Sequence, residues 1–250
     1  MRIFLTTLFI LSLAFPGQPQ SFTFFDQPWL NSIAAKPATD ITTGLVAWYK
    51  FNGDGTDSSG NGYNLTAIGS PTYTTGANGF QCAVLNGSSQ YFNYTGSYGI
   101  GSGITNWSIT AWVYPTTLAS GPDYHSQRHI INVALDGIGL IEDNSGTWTT
   151  YYRDGTGTYW STSNNSDYTS NVWHFLAATM DGTNYVLTVD GNIVTTGASA
   201  QNSGLNTSTT GIGNDTTGAR LFQGNLQDLR IYNRRLLSTE VSTLNANGAK

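Results

Sequence analysis

The stretch Gly44–Leu65, GLVAWYKFNGDGTDSSGNGYNL, limits the fold more than any other part of the chain. Its first half alternates: Ala47, Tyr49 and Phe51 fall on one face, Val46, Trp48 and Lys50 on the other. Period-two spacing of aromatic and β-branched residues predicts a strand. Its second half, Asn52–Gly62, holds four Gly, two Asp and two Asn in eleven residues. Neither helix nor strand survives that composition. Gly opens backbone angles closed to other residues, and Asp and Asn bond back to nearby amides. Such a loop offers carboxylate, carboxamide and outward-turned carbonyl oxygens, the donors a hard cation such as calcium prefers.

The rest of the chain repeats this strand-and-turn style. Aromatic residues make up 13% of it and charged residues only 10%, and 29 of its 250 residues are Gly. Periodic Leu/Ala/Glu/Lys segments are missing until the last dozen residues. That is an all-β composition with many short strands. One sandwich or barrel of about 200 residues can form a single domain. The net charge is −5, and basic residues cluster only at Arg230, Arg234 and Arg235. Nucleic acid, which needs a concentrated positive surface, is excluded as a partner, and an anionic membrane surface is disfavoured for the same reason.

Met1–Ala14, MRIFLTTLFILSLA, carries one positive charge before an apolar core, Ile3–Phe15. The core is too short to span a bilayer and matches a secretory signal, with cleavage after Ala14 or nearer Gln20; the other reading is a buried core segment. The expected division is a signal peptide over 1–20, an aromatic lead-in over 21–43 and one domain over 44–250. The expected location is outside the cell or on its surface. Cys82 stands alone, so it forms no internal bridge and is expected to be a small buried hydrophobe.

Several motifs follow in order. Tyr49-Lys50-Phe51-Asn52-Gly53 and Asp57-Ser58-Ser59-Gly60-Asn61-Gly62 open the series. Phe80–Gly87, FQCAVLNG, and Trp107–Pro115, WSITAWVYP, come next. Then come Trp173–Gly182, WHFLAATMDG, the Asp190-Gly191 turn pair, and Phe222–Arg234, FQGNLQDLRIYNR. Together they resemble a LamG-like (laminin G-like) domain of the concanavalin A-like lectin/glucanase superfamily. The resemblance covers about Gly44–Leu244. It implies a two-sheet antiparallel jelly-roll sandwich with a short C-terminal helix, the closing strand lying beside the first. The sequence departs from the family pattern at Leu85, where an aromatic is usual, and at Gln227, where an Asp is usual. Ser238 is placed to cap the helix from Thr239 to about Leu244.

The resemblance also implies a structural calcium where the first loop meets the closing strand. The matching positions are Asp57, Asn61 and Asp228. The alternative is that Asp228 pairs with Arg230 or a backbone amide and that the loop is only a turn. In the variable region, Trp148, Tyr151, Tyr152, Tyr159 and Trp160 lie close in sequence among Thr, Ser and Asn. Aromatic faces stack on pyranose rings, and amides and carboxylates take the hydroxyls, so these five are the candidate carbohydrate-binding residues. Packing within the sheet is the competing role for any one of them. His125, Arg128 and His129 are expected at the surface, where they could rim such a site.

Catalysis has little support. The chain has two Glu, Glu142 and Glu240, and neither lies in the Glu-x-Asp-x-x-Glu strand of the superfamily's glucanases. A retaining glycosidase needs two carboxyls close together, and only Asp136, Glu142 and Asp143 cluster around a Glu. His174 falls within the family's Trp-His pair. The expected function is therefore a secreted carbohydrate-binding, lectin-like domain and not an enzyme. An adhesion or structural module of a cell surface or virion, docking a surface or matrix protein, is the second reading. A glycoside hydrolase-like domain is the third.

Overall fold

The computed structural model describes residues 40–96, 98, 105–117, 119, 126–133, 137–143, 145–153, 159–164, 168–198 and 209–250. Of 152, 153 and 159–164 it describes the backbone. The chain divides into two units, and Thr39–Lys250 is the one described below. The segment expected to be a signal peptide and most of the lead-in lie outside the described residues, as does His125.

The described residues contain fifteen strands, one 3-10 turn at Ala77–Gly79 and one α-helix. One sheet contains β1 (Leu45–Tyr49), β3 (Thr72–Thr75), β4 (Gln81–Asn86), β6 (Asn106–Pro115), β11 (His174–Asp181), β12 (Asn184–Val189), β13 (Asn192–Ala198) and β15 (Gln223–Tyr232). Its strands run in the order β13-β12-β11-β6-β15-β4-β3, with β1 also on β15. The other contains β2 (Thr66–Ile68), β5 (Tyr91–Thr95), β7 (Arg128–Val133), β8 (Ile138–Glu142), β9 (Trp148–Arg153), β10 (Tyr159–Asn164) and β14 (Thr209–Ile212), in the order β10-β9-β8-β7-β14-β5-β2. Pairings within the two sheets are antiparallel, as the short turns between consecutive strands require. This is the two-sheet sandwich the motifs imply, closed where the sequence puts the closure: Tyr49 opposes Leu229 and Leu45 opposes Tyr232.

The inward faces of β1 and β6 are readable from their alternation. Ala47, Tyr49 and Phe51 are buried, as are Ile109, Ala111 and Val113 of β6. They meet Ile131, Val133, Ile138 and Leu140 of the facing sheet in one apolar core. Removing that area from water, at about 25 cal/mol per Å², is the main force holding the layers together. Cys82 is buried and unpaired, as its isolation demands.

Two details differ from the sequence reading. The helix α1 runs Ser238–Asn247, starting one residue earlier and ending three later than expected, and Ser238 does not cap it. Glu240 does: its carboxylate accepts the Leu237 amide at 2.7 Å and pairs with Arg234 at 2.7 Å. A carboxylate satisfies the free amide and complements the helix dipole together, which a hydroxyl cannot do. The end of the lead-in also belongs to the domain. Tyr232 donates to the Ile41 carbonyl at 3.0 Å, and Asp40 binds the hydroxyls of Thr42 and Thr43.

Candidate functional site

The acidic loop and the closing strand do meet, but their oxygens are already engaged. Asp57 Oδ1 accepts the amides of Trp48 (2.9 Å) and Ser59 (2.8 Å). Its Oδ2 accepts the Ser59 hydroxyl (2.8 Å) and the Tyr63 amide (3.0 Å). Asn61 turns its NH2 to the carbonyls of Val46 (2.8 Å) and Leu45 (3.2 Å). Asp228 takes the Trp48 indole N–H, the Arg230 guanidinium at 2.8 Å and the Lys250 amide at 3.2 Å. A calcium ion needs six to eight oxygens turned toward one point. These residues, as arranged, do not fit it. Among the described residues no group of three His, Cys, Asp or Glu could hold a metal. The turn alternative weighed for this loop, and the Asp228–Arg230 pairing weighed for the closing strand, match the geometry.

The departure at Gln227 has a physical reason. Its carboxamide accepts the Ala77 amide at 2.8 Å and donates to the Ala77 carbonyl at 3.3 Å. An ionised Asp could accept but not donate there.

The variable region is resolved by strand register. Glu142 pairs with Trp148, and Leu140 with Thr150, on the core face of the seven-stranded sheet. Trp148 is therefore a core residue, 1% exposed, packed on Tyr168 (4.6 Å between rings) and His174 (5.8 Å). Of the five aromatics proposed for sugar, it turns inward and offers no open face. Tyr151 falls on the opposite face, its ring lying across Gly139, where a Cβ would sit 1.8 Å from the ring. Only glycine leaves room for that ring. Tyr152 and Trp160 oppose each other across β9 and β10, and Tyr159 opposes Arg153; their side chains lie outside what the structure describes.

The face bearing Tyr151 forms two rows. His129, Ile141, Thr149 and Ser163 oppose one another across four strands. So do Asn93, Gly211, Asn132, Gly139, Tyr151 and Ser161 across six. A bulge between His129 and Ile131 brings both His129 and Asn132 onto this face. The segment before β15 adds Asn214, Asp215 and Arg220: Asn132 donates to the Asp215 carbonyl at 3.3 Å, and the His129 amide donates to the Arg220 carbonyl at 3.1 Å. Both nitrogens of His129, Asn132 Oδ1, Thr149 Oγ1, Asn93 Oδ1 and Asn214 Nδ2 have no hydrogen-bond partner among the described residues.

The electrostatics follow from burial. His129 is 1% exposed and not at the surface as expected. Burial, with the Arg220 guanidinium nearby, pulls its imidazole down to about 3, so it is neutral at physiological pH. Burial raises the Asp215 carboxyl, but the Thr217 hydroxyl and the amides of Ala219 and Thr217 outweigh it and hold the group below its usual range. Glu142, fully buried at the sandwich end, is raised by burial; the Tyr168 hydroxyl (2.5 Å), the Ala119 amide and Arg128 (3.9 Å) offset this only in part. His174 is structural, held between Asp190 (2.8 Å) and Thr169 (3.0 Å).

A model of the concanavalin A-like lectin/glucanases superfamily matches residues 86–242. The chain belongs to that superfamily. No curated protein matches the sequence. Solved structures share the superfamily fold. The binding domain of Paraclostridial Mosquitocidal Protein 1 superposes with a TM-score of 0.68 at 19% identity, over 82% of this chain and 52% of that one. Domain 4 of AbnA, an extracellular GH43 arabinanase from Geobacillus stearothermophilus solved with arabinotriose, superposes with a TM-score of 0.60 at 21% identity, over 80% and 97%. The binding domain of Botulinum Neurotoxin DC in complex with SialylT does so at 0.65 and 13%, over 82% and 52%. The chain thus spans about half of the toxin domains it resembles. These neighbours are mainly carbohydrate- or receptor-binding domains. No helix among the described residues is long and apolar enough to cross a membrane.

Sequence reasoning missed Asn132, Thr149, Asn214, Asp215 and Arg220. Plain alternation over Arg128–Val133 puts His129 and Asn132 on opposite faces, and only the bulge corrects it. The one available signal was the Gly-Ile-Gly-Asn-Asp run, 211–215, whose polar end follows a buried strand.

Proposed function

We propose that this superfamily member is a secreted carbohydrate-binding domain whose ligand lies on the face of the seven-stranded sheet opposite the core. The observation that carries the reading is the set of buried side-chain donors and acceptors there without a partner among the described residues: His129, Asn132, Thr149 and Asn214. Each such group costs about 1–3 kcal/mol unless something completes it, and sugar hydroxyls both donate and accept. Tyr151, 7% exposed, lies beside them, and by register the β9–β10 hairpin continues this face through Ser161 toward Tyr159. The arabinotriose held by a neighbouring fold supports the ligand class.

Binding is favoured over hydrolysis by how the two Glu are committed. Glu142 is tied to Tyr168 and Ala119, and Glu240 to Arg234 and its own helix. A glycosidase requires a facing pair of carboxyls. Among the described residues Glu142 has no second carboxyl beside it, and the one that Glu240 senses, Asp40, is taken up by the hydroxyls of Thr42 and Thr43.

Screening the protein on a glycan array, followed by calorimetry with Asn132→Ala and Tyr151→Ala, tests the reading. The expected result is binding to defined glycans, weakened about tenfold or more by either change. Absence of binding to any glycan, with capture of a surface protein instead, would replace it with the adhesion reading.

A further inference from the structure

The eight-stranded sheet carries a separate recess of about 420 Å³ on its outer side, where β1, β15 and the last residues converge. Its walls include Leu45, Trp48, Lys50, Phe80, Arg230 and Lys250. None of these belongs to the face described above.

The charge in it is unusual for this protein. The chain has three Lys, and two of them, 200 residues apart, line this one recess. Arg128, Arg220, Arg230, Arg234 and Arg235 are each ion-paired with a carboxylate. Lys50 and Lys250 are in no ion pair among the described residues. The carboxylate at hand, Asp228, is engaged by Trp48, Arg230 and the Lys250 amide. In a protein of net charge −5, the two lysines that are in no ion pair among the described residues therefore both line one recess with apolar walls.

The walls also fix where that charge sits. Lys50 Nζ lies 4.3 Å from the centre of the Trp48 ring, and Arg230 Cζ lies 4.3 Å from it as well. The indole is held by its N–H on Asp228. It acts as a pedestal, restraining the lysine head beside a low-dielectric surface, where an arriving anion is attracted more strongly than in open water. Phe80, 45% exposed, leaves its ring open at the rim. Thr42, Asn52 and Asn247 add a hydroxyl and two carboxamides.

An anionic group, an adjoining apolar face and several hydroxyls are what such a recess complements, and one residue type combines them: a pyranose bearing a carboxylate. We propose that this recess is a second binding site, selective for acidic sugars, with Lys50 recognising the carboxylate and Phe80 stacking on the ring. The ligand class rests on the carbohydrate reading above, but the residues do not overlap.

The test is calorimetry with three probes: a galacturonate trisaccharide, sialyllactose and the neutral arabinotriose. Each is titrated into the wild type and into Lys50→Gln, Phe80→Ala and Asn132→Ala. Lys50→Gln is expected to weaken the acidic probe about tenfold or more and to leave the neutral one unchanged. Phe80→Ala should weaken the same probe, and Asn132→Ala should not. Wild-type affinity for the acidic probe should fall as salt rises from about 50 to about 200 mM. Whether galacturonate or sialate binds more tightly names the source of the carboxylate. Unchanged acidic binding in Lys50→Gln, with an unchanged melting temperature, overturns the proposal. So does a wild type that binds arabinotriose but neither acid, which leaves the first reading standing. A wild type that binds no sugar overturns both.

Discussion

Trp48 on β1 donates its indole N–H to the carboxylate of Asp228 on β15, 180 residues away. The bond ties the opening strand to the closing one. It depends on a backbone irregularity: Asp228 has a φ of 51°, inside a bulge where the register shifts between Gln227 and Arg230. The bulge lets consecutive side chains serve different neighbours, Gln227 holding Ala77 and Asp228 holding Trp48 and Arg230.

Asp228→Ala should accordingly be severe. Arg230 is 5% exposed, and the change would leave its guanidinium buried without a counter-charge. Losing one partner of a buried pair costs about 3–5 kcal/mol. Urea denaturation at neutral pH reads this as a lower midpoint with an unchanged slope. A loss below about 1 kcal/mol would mean that Arg230 finds water or another acceptor.

The same saturation of Asp57 and Asp228 bears on the metal. A ligand at about 100 times its Kd adds about 2.7 kcal/mol, but only if the folded state binds it. With the donors already engaged, chelator should leave the melting temperature within about 1 °C of its value in calcium, against several degrees for a bound ion. A shift of that larger size would show that the loop rearranges around calcium.

The strands and their closure were legible because their signals are local. Alternation at Leu45–Phe51 and Trp107–Pro115 names the buried face without knowledge of the partner strand. The candidate site was less legible because its placement depends on register. Trp148 and Tyr151 look equivalent as letters, yet they are an odd number of positions apart, so one packs the core and the other lies on Gly139. Likewise Asp57 and Asp228 have the chemistry of metal ligands. What decides their role is the count of N–H groups around them, which no local pattern carries. Lys50 and Lys250 could have been noticed as rare residues, but only the fold brings them together.

Glu142 gives a prediction of opposite sign to ordinary acid denaturation. Its carboxyl is raised by burial, so the folded state holds its proton to higher pH than the unfolded chain. The stability it contributes is full below the unfolded value, near 4.5, and is lost as pH rises through the folded value. Glu142→Gln keeps an acceptor for Tyr168 and Ala119 and removes the charge. The variant should be more stable than the wild type at about pH 7.5 and show no gain at about pH 4. A variant less stable at both would mean that the Arg128 pairing, at 3.9 Å, outweighs the burial of the charge.

His129 runs the other way. Its imidazole titrates near 3 when folded and near 6.5 when free, so between those values the unfolded chain binds a proton that the folded protein does not. Stability must fall as pH drops from about 6.5 toward 3, by up to about 1.4 kcal/mol per pH unit. The groups facing it are Arg220, which favours the neutral ring, Asp215, which opposes that, and Tyr151, 5.7 Å away edge-on. The Asp215 carboxyl, also held low, contributes stability that is lost only below about pH 4, while the raised Glu142 carboxyl adds stability as pH falls toward 4.5, so over the range from about 6.5 to 4.5 the difference between wild type and His129→Gln isolates the histidine. Urea midpoints measured across that range should decline steeply in the wild type and less steeply in His129→Gln, whatever the variant's absolute stability. Parallel declines would show that the ring is already protonated in the folded protein, with water reaching this face. The neutral imidazole assigned there as a hydrogen-bond partner for sugar would then have to be replaced by a cation.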